Sequence, residues 1–205
     1  MTSKGRLFVI SAPSGAGKTT LVNRIMEADP ALKFSISFTT REKRHNEKNG
    51  VHYNFVDKDE FITMVDKGDF LEHADVFDNH YGTSRREVDK QLNAGHNVIL
   101  EIDWQGAQQV RENMPGCETI FILPPSVAEL EQRLRGRATD RDEVIARRLA
   151  DSVADIGHWS EFDYAVINDD LETATKALQT IIQGSGSANS TSAQAVKDAV
   201  KQLLS

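Results

Sequence analysis

The chain has 205 residues, 39% hydrophobic and 27% charged, with a formal net charge of −7. That length holds one fair-sized core with small inserted subdomains, and the acidic balance argues against broad, sequence-independent binding to nucleic acid, which needs a basic surface. Cys117 is the single cysteine; it excludes an internal disulfide and fits a reducing compartment.

The start, Met1 to Arg6, is polar and basic, and the apolar run after it spans only Leu7 to Ile10. This is too short for a signal peptide or a membrane span, so the expected location is the cytoplasm. Leu7 to Ile10 reads as a short buried strand, followed at once by a Gly-rich turn. Thr19 to Met26 has helical apolar spacing, with Leu21, Ile25 and Val22 turned inward, and Asp29-Pro30 ends it. From Phe34 to Arg86 the residues are polar, aromatic and turn-rich, which predicts a small, partly β insertion.

Further buried strands are predicted at Asn97 to Ile102, Thr119 to Leu123 and Tyr164 to Ile167. Between the last two lies an arginine-rich helical pair, Ser126 to Trp159. Asp140 to Glu143 has the spacing of a capping box for its second helix, with Thr139 as the alternative cap. Ile181-Ile182 closes the last core helix, Gly184 to Ser192 reads as a linker, and Ala193 to Leu204 as a short amphipathic helix. Strands alternating with helices predict an α/β fold, a parallel sheet flanked by helices.

The strongest signal is Ala12-Pro13-Ser14-Gly15-Ala16-Gly17-Lys18-Thr19, placed between a strand and a helix. It has the P-loop pattern, with Ala12 in place of the usual first glycine. Gly15 and Gly17 let backbone N–H groups approach a polyphosphate, and the helix adds the positive end of its dipole. Lys18 reaches the β- and γ-phosphates, while the Thr19 hydroxyl suits Mg²⁺, with Thr20 beside it. The chain is therefore expected to bind a nucleoside triphosphate.

Asp103-Trp104-Gln105-Gly106 imitates the Asp-x-x-Gly element of GTPases, but no Asn-Lys-x-Asp sequence accompanies it. Glu101 and Asp103 suit the Mg²⁺ hydration shell or the substrate's ribose and phosphate at a strand's carboxyl end; the plainer alternative is a helix cap. A kinase also needs an acceptor site and charge neutralisation. Arg41 and Arg44, near Ser37, Thr39 and Thr40 and followed by Tyr53 and Tyr81, suit an acceptor phosphate. Glu72, set in the apolar Phe70-Leu71 stretch, suits a base edge with two N–H donors, which guanine has and adenine lacks. Arg133, Arg137, Arg147 and Arg148 suit a lid over the triphosphate, with Arg133 and Arg137 on one helical face. The alternative is a solvated face of Glu–Arg pairs, since Glu129 lies four residues before Arg133.

These residues together resemble the guanylate kinases, nucleoside monophosphate kinases of the P-loop superfamily, from about Leu7 to Ile182. The resemblance rests on Ala12 to Thr19; on Ser37-Phe38-Thr39-Thr40-Arg41 through Arg44, Glu47, Gly50 and Tyr53; on Glu101 to Gly106; and on Val166 to Asp170. It implies a P-loop NTPase core over residues 1–34, 87–125 and 160–183. A GMP-binding segment would span 35–86, a lid 126–159, and the linker with the C-terminal helix 184–205. By the same resemblance Ser37, Glu72 and Thr83 read guanine, and Arg41, Arg44, Tyr53 and Tyr81 hold the GMP phosphate. Lys18, Arg137 and Arg148 act on the transferred group, and Asn168 lies near the adenine of ATP.

Lys43 and Asn46 depart from a common proline and glycine, Glu101 from an aspartate found in some members, and Thr83 from serine, which keeps the hydroxyl. The implied reaction is Mg²⁺-dependent transfer from ATP to GMP, with small-molecule substrates and neither nucleic acid nor membrane as partner; homo-oligomerisation stays open. Two rivals are a non-catalytic scaffold module of the same fold, opposed by the intact Lys18, Thr19 and arginines, and a sugar-phosphate kinase, which would leave Glu72 and Ser37 without a task. Cys117 reads as a loop thiol, the six histidines show no metal-ligand spacing, and Trp104 and Trp159 read as packing residues.

Overall fold

The computed structural model of the chain describes residues 4–76, 78–136 and 141–204. In chain order its elements are β1 (Leu7–Ser11), α1 (Lys18–Ala28), β2 (Lys33–Phe34), β3 (Phe38–Thr39), β4 (Asn54–Phe55), α2 (Lys58–Asp66), β5 (Phe70–Val76) and β6 (Asn79–Ser84). There follow α3 (Arg85–Asn93), β7 (Val98–Glu101), α4 (Trp104–Asn113), β8 (Glu118–Leu123), α5 (Val127–Arg135), α6 (Asp142–Ile156), β9 (Tyr164–Ile167), α7 (Leu171–Ile182) and α8 (Gln194–Leu203). The chain divides into two compact units.

The unit of residues 8–30, 101–104 and 118–205 holds the phosphate-loop motif. In it β1 pairs with β8 and β8 with β9, both parallel. Phe8 to Ile10 and Ile120 to Leu123 are fully buried, which is why these strands read as continuous apolar runs: strands covered on both faces cannot alternate. Leu21, Val22 and Ile25 of α1 are buried as their spacing predicts. Leu130 and Leu134 of α5 are buried, as is Ile145 of α6. Asp170 caps α7 by accepting from the Thr173 N–H. Arg141 stands at the start of α6 with no side-chain cap bond, and the expected box from Asp140, with Thr139 as alternative, falls outside the described residues.

The segment after α7 is more ordered than its Gly/Ser composition predicts. Gly184 takes a left-handed φ of 85° where α7 stops, the ordinary glycine helix ending. Residues Gly186–Asn189 then form a short 3₁₀ turn. Ser190 bridges Tyr164 antiparallel, the Thr191 hydroxyl donates to the Phe162 carbonyl at 2.6 Å, and the Thr191 N–H donates to the Asp163 carbonyl at 3.0 Å. The Thr191 bonds satisfy carbonyls at the entry to β9, and the Ser190 bridge pairs the strand's first residue, groups that an edge strand would leave bare. α8 buries Val196, Val200 and Leu203 at i, i+4 and i+7.

The other unit comprises residues 31–100 and 105–117 with the start of the chain. Here β2 pairs with β7 in parallel, and a second, four-stranded sheet runs β4-β3-β6-β5, the partly β insertion expected from composition. Its β5–β6 and β3–β6 pairs are antiparallel. Phe61 of α2 stacks on Phe70 at 4.6 Å, and Phe38 meets Phe70 edge-on at 5.9 Å, giving this sheet a small aromatic core. Ser84 caps α3 and Asp57 caps α2. The fold class is α/β, with parallel strands flanked by helices.

Candidate functional site

The phosphate loop runs from the end of β1 into α1. Gly15 and Gly17 stand at φ 90° and 93°, where side chains are strained. A Cβ on Gly17 would also lie 2.4 Å from Nδ2 of Asn168. That amide is buried and donates to the Ala16 carbonyl at 2.8 Å, so Asn168 braces the loop from behind. α1 starts after Gly17 with no side-chain cap and no acidic residue in its first turn. Its leading N–H groups and dipole therefore favour an anion.

Lys18 donates from Nζ to the Ile102 carbonyl at 3.0 Å. Burial pushes its pKa below the usual lysine value, and Glu101 and Asp103 oppose that shift, so the surrounding carboxylates favour the cation. The Thr19 hydroxyl donates to a Glu101 carboxylate oxygen. A cavity of about 390 Å³ lies elsewhere, in the unit built on β2 and β7; the one at the loop holds about 330 Å³ and is lined by Ala12 to Ser14, Gly15, Gly17 to Thr20, Asp103 and Asp155.

α6 closes on this loop from one face. Arg148 donates to the Ser14 hydroxyl at 3.2 Å and Ser152 donates to the Ser14 carbonyl at 3.1 Å. Asp155 accepts the Trp104 indole N–H at 3.0 Å, and that indole stacks on His158 with centroids 3.5 Å apart. Burial raises the Asp155 pKa, partly offset by the Trp104 bond. Arg133 forms the Glu–Arg pair, with Nε to Glu129 at 3.0 Å, and its Nη2 donates to the Asn168 carbonyl at 3.1 Å. Arg137 lies outside the described residues. Arg147 lies 4.0 Å from Asp151 on an exposed face.

The second cluster belongs to the other unit. The Arg41 guanidinium donates to Glu47 Oε1 at 2.7 Å, and Glu47 Oε2 accepts the Arg44 N–H at 2.8 Å. Bonds from Arg41 and then from the Arg44 amide hold the Glu47 carboxyl down to about 2. Arg41 sits 5.4 Å from the Tyr53 ring centroid, and Tyr53 meets Tyr81 edge-on at 6.0 Å. Glu72 and Thr83 face each other across the β5–β6 pair, both buried, and the Thr83 hydroxyl donates to Glu72 Oε1 at 2.6 Å. Ser37, half-buried between β2 and β3, accepts the Asn54 N–H at its carbonyl at 2.9 Å.

The structure thus gathers Arg41, Arg44, Tyr53 and Tyr81 in one cluster, and Lys18, Thr19, Glu101, Asp103, Arg148 and Asn168 in another. Sequence reasoning gave no role to Glu47, Ser152 and Asp155. The 148, 152, 155 spacing puts three polar residues on one helical face, and that was the available signal. Trp104 does more than pack, since its N–H is committed to Asp155. Among the described residues, no helix is long and apolar enough to cross a membrane.

Comparison with known proteins adds four findings. A family model described as guanylate kinase matches residues 4–185. The chain is 53% identical over 180 residues to a guanylate kinase of Pseudoalteromonas translucida, covering 88% of this chain and 87% of that protein. It is 56% identical over 177 residues to one of Alkalilimnicola ehrlichii, covering 86% and 87%. The crystal structure of guanylate kinase from Anaplasma phagocytophilum superposes with a TM-score of 0.70 at 33% identity, covering 91% of this chain and 88% of that one.

Proposed function

The chain belongs to the guanylate kinase family, and from that premise we infer that it transfers the γ-phosphoryl group of ATP to GMP, giving ADP and GDP. One observation carries the acceptor assignment: Glu72, a buried carboxylate held by Thr83. A buried carboxylate needs hydrogen-bond donors, and guanine presents N1–H and N2–H₂ along one edge. Adenine has no such edge, and a sugar phosphate has no paired N–H groups to set against Glu72.

The residues divide by task. Ser37, Glu72 and Thr83 bind the base, and Arg41, Arg44, Tyr53 and Tyr81 bind the acceptor phosphate. The Arg41–Glu47 bond keeps the guanidinium aimed, so a phosphate meets a charge already in place. Ala12 to Thr20 cradle the triphosphate through backbone N–H groups, and Lys18 places its charge on the β- and γ-oxygens. Arg148, Arg133 and, outside the described residues, Arg137 neutralise charge that spreads over the transferred group. Asn168 keeps the loop in shape for the adenosine end. Residues 35–86 then form the acceptor segment, 126–159 the lid, 1–34, 87–125 and 160–183 the core, and 184–205 the linker with the C-terminal helix.

The donor set at the loop fits Mg²⁺, because the Thr19 hydroxyl and the Glu101 carboxylate already meet and Asp103 lines the same cavity. Hard oxygen donors with few direct protein ligands are what this ion prefers. Thr19 would bind it directly and Glu101 or Asp103 through water. When bound, it neutralises phosphate charge and orients the triphosphate. An enzyme of this kind works on small molecules where ATP is available, which points to the cytoplasm and to purine nucleotide metabolism.

The test is to offer GMP, AMP, CMP, UMP and a sugar phosphate in turn with ATP and Mg²⁺ and to follow ADP release. Fast turnover with GMP alone is expected. Fast turnover with another acceptor would overturn the guanine reading, and GMP binding without any turnover would favour a scaffold module.

A further inference from the structure

We propose that Asp155 is a positioning residue for phosphoryl transfer: through the Trp104 indole it holds the Glu101–Asp103 turn against Lys18 and Thr19. The proposal rests on the kinase reading above and adds a residue to its donor side.

That turn is short and heavily used. Its Glu101 carboxylate takes the Thr19 hydroxyl, its Ile102 carbonyl takes the Lys18 ammonium at 3.0 Å, and Asp103 lines the phosphate cavity. A shift of the turn would therefore displace a lysine and a threonine together. On one side the turn is tied to the sheet, where the Ile102 N–H donates to the Ile10 carbonyl at 3.3 Å. On the other side it is tied through Trp104, the residue that opens α4.

Trp104 is held twice. Its ring lies on the His158 imidazole with centroids 3.5 Å apart and planes within 10°, and its N–H is taken by Asp155 at 3.0 Å. Stacking alone would locate an aromatic ring but leave it free to swivel in its plane. The hydrogen bond removes that freedom, and a carboxylate acceptor makes it stronger than a neutral one would. His158 is in turn paired with Glu161 at 2.5 Å.

Asp155 is itself well placed to transmit order. Arg148, Ser152 and Asp155 share one face of α6, and the first two grip Ser14 of the phosphate loop. One helical face thus sets the loop and the acidic turn at once, which couples the donor cradle to the residues that hold its lysine. A surface carboxylate with no such task gains nothing from being half-buried beside Asp103.

The test compares Asp155→Ala, Asp155→Asn, Trp104→Phe and the Trp104→Phe/Asp155→Ala double variant of the full chain. Steady-state kinetics are read alongside the indole N–H resonances of the nucleotide-free protein. Positioning predicts that Asp155→Ala and Trp104→Phe each lower kcat roughly 10-fold, with KM for GMP within about twofold. The double variant should be no slower than the singles, because both remove the same bond. Asp155→Asn, which keeps an acceptor oxygen, should recover most of the rate. The Trp104 indole resonance should move upfield in Asp155→Ala and stay near its place in Asp155→Asn.

If Asp155→Asn is as slow as Asp155→Ala while Trp104→Phe runs at the wild-type rate, the charge acts on the nucleotide directly and the proposal fails. Wild-type rates in every variant, or an unmoved indole resonance in Asp155→Ala, would also overturn it. A wild-type chain inactive on GMP would instead sink the parent reading, with the resonance still deciding whether the Asp155–Trp104 bond exists.

Discussion

The proposed triphosphate cradle and the proposed acceptor pocket are assembled on different length scales. In the cradle, Lys18 meets a carbonyl 84 residues away, Ser14 is held by an arginine 134 residues on, and Ala16 by an asparagine 152 residues on. In the acceptor unit, Arg41 meets a glutamate 6 residues away, and Glu72 meets a threonine 11 residues away across a hairpin. The cradle exists only once the central strands are in place, whereas the acceptor contacts are made by near neighbours in one small sheet. On the proposed assignment, donor handling is therefore tied to the core, and acceptor choice is a local property that mutation can change separately.

The largest expected effect is on the donor side. Lys18→Met should lower kcat by on the order of 10²- to 10³-fold, with the thermal midpoint within a few degrees of the parent, because the ammonium acts mainly on charge developing in the transition state. Near-normal turnover would remove the cradle from the mechanism.

Next comes Glu72→Gln, which leaves a base-reading oxygen but removes the charge and one acceptor. KM for GMP should rise about 10- to 100-fold, as expected for a buried partner lost at ~1–3 kcal/mol, while KM for ATP barely moves. Equal rises in both constants would erase the distinction between the two regions.

A smaller effect, roughly two- to fivefold on KM for GMP, is expected for Glu47→Gln, since Arg41 stays charged but less well aimed. The pH behaviour has a definite sign. A carboxyl held at about 2 contributes stabilisation that is fully present above the ordinary carboxylate range and is lost only as pH falls toward 2. Across about pH 5 to 8 the ratio of GMP affinities for parent and variant should therefore stay flat. A ratio that bends in that range would mean Glu47 is not held as described.

The smallest kinetic effect should follow truncation after Ser185. The removed segment covers β9 and buries Val196, Val200 and Leu203, so the thermal midpoint should fall by several degrees. Both KM values and kcat should stay within about twofold. A large loss of activity would mean the terminal segment supports the donor site.

Local chemistry was also what the sequence displayed best. The phosphate loop could be read because strand, glycines, lysine and helix follow one another within 20 residues of the start. Glu72 stood out as a charge inside an apolar strand, and the structure buries it. The parallel strands showed as unbroken apolar runs because both of their faces are covered. Asp155 did not stand out, since an aspartate on a charged helix is ordinary until its face is known to meet Trp104. The Gly184 to Ser192 stretch misled for a physical reason: composition signals flexibility, but its hydroxyls find the carbonyls bordering β9. Such pairings depend on a strand about 25 residues upstream, and no local pattern announces them.

The most direct test of separate donor and acceptor regions is the affinity of Lys18→Met for GMP, measured by calorimetry without ATP. An affinity within about twofold of the parent, in a protein that no longer turns over, is the predicted result. A Lys18→Met chain that has lost GMP binding would contradict the division and make the lysine part of the acceptor site as well.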